Sequence, residues 1–303
     1  MYRAKIETAN KQIRQITYLG VVTNIVLAAI KAVIGFTAGS MALVADSIHS
    51  VSDMVTDIVV LLGIHFGAKE PDPEHPYGHG RVETFSALLV ALALVAVGIF
   101  MIKRASFVIA RVHFGQMEVK QVGTAVIWAA LLSVIVKEAL YRINRKVAVK
   151  TDSPALYANA WHHRSDALSS IAVVAGFAAL RFGFDYGDQI ATVAVGLMII
   201  IVGVKITGGC VDEFAERAVD SSTIKQIEEI ISSETRVRHW HDLRTRSVGR
   251  EIFIDLHILV DPQLNITEAH EISDSLEYKL HGQMSRPVNI TIHIEPDRPE
   301  QRK

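Results

Sequence analysis

Apolar residues gather into six long runs, near Ile13 to Thr37, Ser40 to Phe66, Val82 to Ile109, Val119 to Tyr141, Ala155 to Phe182 and Gln189 to Thr207. Each is close to the roughly 20 residues that cross a bilayer as a helix. The first is too long for a signal-peptide core and reads as a membrane helix. Beyond about Asp212 the rhythm changes. Ile224, Ile227 and Ile231 repeat at helical spacing, His241 to Arg246 and EIFIDLHILV read as strands, Asn265 with Glu268 caps a helix through Leu280, and VNITIHIEP alternates again. The expected architecture is an α-helical membrane protein with six transmembrane helices, residues 1–211, followed by a small α+β domain of ferredoxin-like type, residues 212–303, with helices on one face of its sheet.

Composition agrees with a membrane part joined to a soluble part: half of the 303 residues are apolar while 21% are charged. A net charge of −1 gives no basic surface and no reason to expect nucleic acid. Cys210 is the one cysteine, which excludes an internal disulfide and a cysteine-ligated zinc finger. Six crossings put both termini on one side. Arg3, Lys5, Lys11 and Arg14 before the first helix, with Arg142, Arg145, Lys146 and Lys150 in the loop expected after the fourth, assign that side to the cytoplasm. Lys103, Arg104 and Arg111 pull weakly the other way.

Polar residues inside the apolar runs carry the chemistry. In DSIHSVSD, His49 and Asp53 are four apart and share a helix face with Asp46 one turn back. The fifth run repeats the device in NAWHHRSD, where His162 and Asp166 are four apart and Asn159 lies a turn back. Facing pairs on two helices would make a cage of two imidazoles and two carboxylates, a tetrahedral set that suits a divalent metal, zinc first. Taken singly, a membrane histidine often serves as a helix–helix hydrogen-bonding group, and a lone aspartate often pairs with a buried lysine or arginine. Two matching pairs favour the metal, because a lone central charge costs roughly 2.5 to 3.5 kcal/mol on insertion scales. His163 and Arg164 point about 100° and 200° away from His162 and are not assigned to it. Asp57 continues the Asp53 face one turn inward, as a group on an access path or as a helix-interface residue.

With these motifs in view, the sequence resembles the cation diffusion facilitators over nearly its whole length. DSIHSVSD, WHHRSD, the HPYGHG loop and HDLRTR carry the resemblance. It implies a proton-coupled exporter of divalent metal, not an enzyme, of the bacterial zinc/proton antiporter type, working by alternating access. It also implies a homodimer joined through the cytoplasmic domain, and a multi-pass position in the bacterial inner membrane with cytoplasmic termini. Its transport site falls on His49, Asp53, His162 and Asp166, a His/Asp/His/Asp set that leans toward Zn2+ but leaves Cd2+, Fe2+, Co2+ and Ni2+ chemically open. A loop site is expected at Asp72, His75 and His79, and a two-ion cluster in the soluble domain at His241, His257, His270, His293 and Glu295. Glu295 stands where related chains often have the shorter Asp. Arg81 after the loop and Glu216 after the sixth helix match a charge interlock at the hinge between the domains.

Two other classes stay in view. A membrane metalloenzyme could use the same ligands to activate water, but no HExxH helix accompanies them. A membrane-anchored metal sensor would leave both HxxxD pairs without a purpose.

Overall fold

The computed structural model describes residues 2–37, 41–114, 124–182, 184 and 186–302. Six long helices form the N-terminal part: α1 (Tyr2–Thr37), α2 (Met41–Gly67), α3 (Arg81–His113), α4 (Thr124–Thr151), α5 (Pro154–Arg181) and α6 (Gly187–Phe214). The pairs α3 and α6, α4 and α5, and α1 and α2 lie alongside one another, and α5 also touches α2, α3 and α6. Small residues bring α3 and α6 close, since a Cβ on Gly98 would come 2.7 Å from the Gly196 carbonyl oxygen.

The bundle is apolar outside and polar within. Phe36, Phe100, Trp128, Ile135 and Ile201 are exposed on its surface, whereas Asn24, Asp53, Asp57, Lys137, His162 and His163 are buried. That inversion is what a hydrocarbon solvent requires. Among the described residues, Thr8–Ile34, Arg81–His113 and Gln189–Phe214 are membrane spans by length and apolarity alone, with mean hydropathies of 1.8, 2.8 and 2.4. The intervening helices α2, α4 and α5 bring Asp53, Asp57, Lys137 and Asp166 into the bundle, and α1 adds the buried Lys31.

The fourth helix departs from the sequence reading. Its run RINRKVAVK contains neither glycine nor proline, so the helix continues past Tyr141 to Thr151 and carries Arg142, Arg145, Lys146 and Lys150 on its turns. The connection shrinks to Asp152, at φ 50°, and Ser153 before Pro154 opens α5.

The C-terminal part follows as α7 (Ser221–Ser232), β1 (His239–Val248), β2 (Glu251–Val260), α8 (Ile266–Gln283) and β3 (Val288–Pro296), with a short 3-10 turn at Pro299–Gln301. Asp220 caps α7, and Asn265 with Glu268 forms a capping box on α8. β1 pairs antiparallel and β3 parallel with the central β2. Ile252, Ile254, Leu256, Ile258 and Val260 point to one face, where Ile227 and Ile231 of α7 and Ile272, Leu276 and Leu280 of α8 cover them. The opposite face keeps the alternate residues of the strands, His257 among them.

Candidate metal centres

The membrane cluster is built by three helices. Asp53 of α2 and His162 and Asp166 of α5 each place a ligand atom within 4.8 Å of the others. His162 Nε2 lies 3.7 Å from Asp53 Oδ1 and 3.8 Å from Asp166 Oδ2 and has no hydrogen-bond partner among the described residues. The third helix brings a residue that the sequence reading passed over: Lys137 of α4 donates from Nζ to Asp53 Oδ2 and to Asp166 Oδ2, 2.8 Å in each case, and its side chain is 2% exposed. Two carboxylates thus converge on one ammonium with an unpartnered imidazole nitrogen beside them, a donor set suited to a divalent cation. An ion held by both aspartates would have to take the place of the lysine. The side chains of His49 and Asp46 lie outside the described ones.

Asp57 and its neighbours form a separate polar group toward the C-terminal end of α2. Asn159 reaches Asp57 instead of joining His162 and Asp166, and His163 turns to the same carboxylate at 3.6 Å. Arg164 lies over the rings of Tyr141 and Trp161.

In the α2–α3 loop, Asp72, His75 and His79 come within one metal's reach. Asp72 Oδ1 accepts from the His75 backbone N–H at 2.7 Å, which with the His75 ring holds this carboxyl below its ordinary range. His79 Nε2 is 3.5 Å from Asp72 Oδ2, and the two imidazoles are 4.3 Å apart. Gly78 at φ 79° makes the bend, and Tyr77 packs edge-on against Phe253 of β2.

On the open face of the sheet, strand register does the assembling. His241 pairs with His257 and His257 with His293, so three imidazoles cross the three strands in one row. Their ring centres are 5.1 Å and 4.7 Å apart. Glu295, two residues beyond His293, lies 3.2 Å from His241 Nε2, 3.0 Å from His257 Nδ1 and 3.5 Å from His293 Nε2. Burial pushes the Glu295 carboxyl up, but its hydrogen bonds with His241 and His257 outweigh that and leave it below the ordinary glutamate range. A bulge follows His241, with Asp242 at φ 51°. His270 does not join this row. It sits 71% exposed on α8, which covers the other face of the sheet, and its near neighbour is Asp274 at 3.6 Å.

At the junction of the two parts, Arg81 Nη2 donates to Glu216 Oε1 at 2.6 Å, and Arg81 Nη1 also donates to the Phe214 carbonyl. A second, buried pair was not foreseen: Arg250 in the β1–β2 turn donates to Glu83 of α3 at 2.8 Å, with side-chain exposures of 9% and 2%. Ser153 also donates to Glu83, and the Gly249 N–H donates to Glu213 of α6 at 2.6 Å. Gly249 has φ 57°, and a Cβ there would come 2.7 Å from the Gly80 carbonyl oxygen, so the turn fits only without a side chain. The signal in the sequence was Glu83 itself, an acid at the head of an apolar helix.

Residues 17–209 match the family described as cation efflux transmembrane domain, and residues 219–297 match the cation efflux protein cytoplasmic domain. An uncharacterized transporter of Methanocaldococcus jannaschii is 35% identical, over 94% of this chain and 99% of its own. Metal tolerance protein C1 of Arabidopsis thaliana is 32% identical, over 92% of this chain and 61% of its own. The manganese efflux system protein MneP of Bacillus subtilis is 30% identical, over 93% of this chain and 96% of its own. With both domains matched in order around a buried acid–imidazole cluster, the chain belongs to the cation diffusion facilitator family of membrane metal-cation efflux transporters, not to a family of enzymes.

Proposed function

We propose that the chain is a proton-coupled antiporter that expels a divalent metal, zinc first, by alternating access. The observation that carries the reading is the convergence of the buried Asp53 and the partly buried Asp166 on the buried Lys137 with the His162 nitrogen beside them. A bare dication cannot enter hydrocarbon, and two carboxylates offset its two charges. Metal seated between them displaces the Lys137 ammonium. When the metal leaves, that ammonium and incoming protons balance the carboxylates for the return, and histidine is the side chain most readily protonated near neutral pH. His49, on the same face as Asp53, supplies the fourth ligand. Imidazole nitrogen tilts the set toward zinc over harder ions.

Positive residues at the start of α1 and the end of α4 favour cytoplasmic termini in a bacterial plasma membrane. The soluble domain then receives metal at His241, His257, His293 and Glu295, with the loop site Asp72, His75 and His79 beside it, and joins two copies into a homodimer. Arg81 and Glu216 form the interlock that couples this domain to the bundle.

Manganese is a second reading, favoured by the Bacillus relative whose name is a manganese efflux system protein. The experiment is flux into proteoliposomes. Antiport gives saturable metal uptake driven by a pH gradient, with zinc and manganese competing for it. A sensor or a metalloenzyme gives no uptake. Competition in which manganese outruns zinc overturns the zinc assignment while leaving antiport in place.

A further inference from the structure

Asn24 of α1, Asp57 of α2, and Asn159 and His163 of α5 meet inside the bundle and are all completely buried. Asp57 is one helical turn beyond Asp53, on the side where α2 leads into the loop that packs on the C-terminal domain. Asn24 Nδ2 donates to Asp57 Oδ2 at 2.8 Å, and Asn159 Nδ2 donates to Asp57 Oδ1 at 2.7 Å. His163 Nε2 is 3.6 Å from that same Oδ1.

A clamp tying three helices together accounts for the two amide donors. It does not account for what surrounds them. Asn24 Oδ1, Asn159 Oδ1 and both ring nitrogens of His163 are buried with no hydrogen-bond partner among the described residues. Four orphaned acceptor or donor sites around one carboxylate are costly in a bundle core unless something fills the group. Lys137 is engaged by Asp53 and Asp166, so among the described residues Asp57 has His163 as its one ion-pair neighbour.

The two ends of an asparagine amide exchange by a half turn about its last torsion. Turning Asn24 and Asn159 over directs two carbonyl oxygens toward the region that their amines now hold, beside the Asp57 carboxylate and the His163 nitrogen. One carboxylate, two amide oxygens and one imidazole form an oxygen-rich set of the kind that suits manganese and similar divalent ions. The wall beside this set is kept low by Gly20 of α1: a Cβ there would lie 3.5 Å from Asp57 Oδ1 and from His163 Nε2, an ordinary contact that would nonetheless fill the cradle.

We infer that Asn24, Asp57, Asn159 and His163 form a second divalent-cation station, one turn from the transport cluster. Its service as a waiting position for metal moving to Asp53 and Asp166 rests on the transport reading; its ability to bind metal does not.

The test uses the full chain in detergent, with Mn2+ alone as probe, counted by electron paramagnetic resonance. The background variant is Asp166→Ala, which removes the transport cluster. Adding Asp57→Asn should remove one Mn2+ per chain or weaken it about tenfold. Adding Gly20→Ala instead should give the same loss while the protein melts no lower, because alanine is the better helix residue and its Cβ meets only ordinary contacts. Unchanged Mn2+ stoichiometry and affinity in the Gly20→Ala variant would overturn the station and leave a helix clamp. If wild-type proteoliposomes show no gradient-driven flux but the Mn2+ losses persist, the station stands and the transport reading falls.

Discussion

In the bundle, Asp53 and Asp166 face an ammonium; on the sheet, Glu295 faces three imidazoles and solvent. Both groups mix carboxylate with histidine, yet only the first carries its own cation. The difference follows from the medium. Inside the bundle a carboxylate pair without a counter-charge is costly, so the fold supplies Lys137. At the sheet, His257 and His293 are 34% and 62% exposed, water screens the charge, and no lysine is needed. Under the proposed transport reading, a metal at the first cluster would have to displace a bound cation, whereas at the second it would meet open ligands.

The largest effect should come from Asp166→Ala. Transport into proteoliposomes should fall by about two orders of magnitude, while calorimetry finds metal affinity at the sheet unchanged. An equal loss at both clusters would break the comparison. Next comes Lys137→Met, which keeps length and removes charge. The metal-free protein should lose about 3 kcal/mol because the carboxylates of Asp53 and Asp166 lose the ammonium that both now accept from, and metal should then raise its melting temperature more than it raises that of the wild type. If metal binding at the sheet shifts as much, Lys137 does not act locally. Glu295→Gln should weaken binding at the sheet about tenfold and reduce transport by less than that. The smallest effect belongs to the exposed junction pair. Arg81→Glu should cost about 1 kcal/mol or less in stability but slow transport, and adding Glu216→Arg should recover part of the rate. A double variant no faster than the slower single one would remove the interlock from the coupling.

Spacing made Asp53, His162 and Asp166 legible, because acids and histidines four apart in an apolar run have few structural uses. Lys137 was not legible for a related reason. In SVIVKEALYR it precedes Glu138 and Arg142 and reads as the end of a membrane span. Only the packing of α4 against α5, and the extension of α4 to Thr151, carry it inside. The strands were readable from alternation, among them the two that bear His257, His293 and Glu295. The bulge after His241 was not, since it depends on which residues of β1 find partners on β2. His270 enters the cluster through the family resemblance, but α8 buries Ile272, Leu276 and Leu280 against the other face of the sheet, which keeps His270 away from the imidazole row within one chain. Arg250 and Glu83 are 167 residues apart, and nothing local links them.

The β1–β2 hairpin has a mechanical consequence. Its turn is wedged against the bundle by Gly249, Arg250 and Glu83, and the imidazole row lies six or seven residues along the same two strands. Paired strands are stiff, and that distance is roughly 20 Å. The hairpin is therefore a lever with its fulcrum at the base of α3 and α6. A tilt of about 3° at the wedge carries the whole imidazole row by about 1 Å relative to the bundle over that arm, with the spacing among its ligands kept by the paired strands.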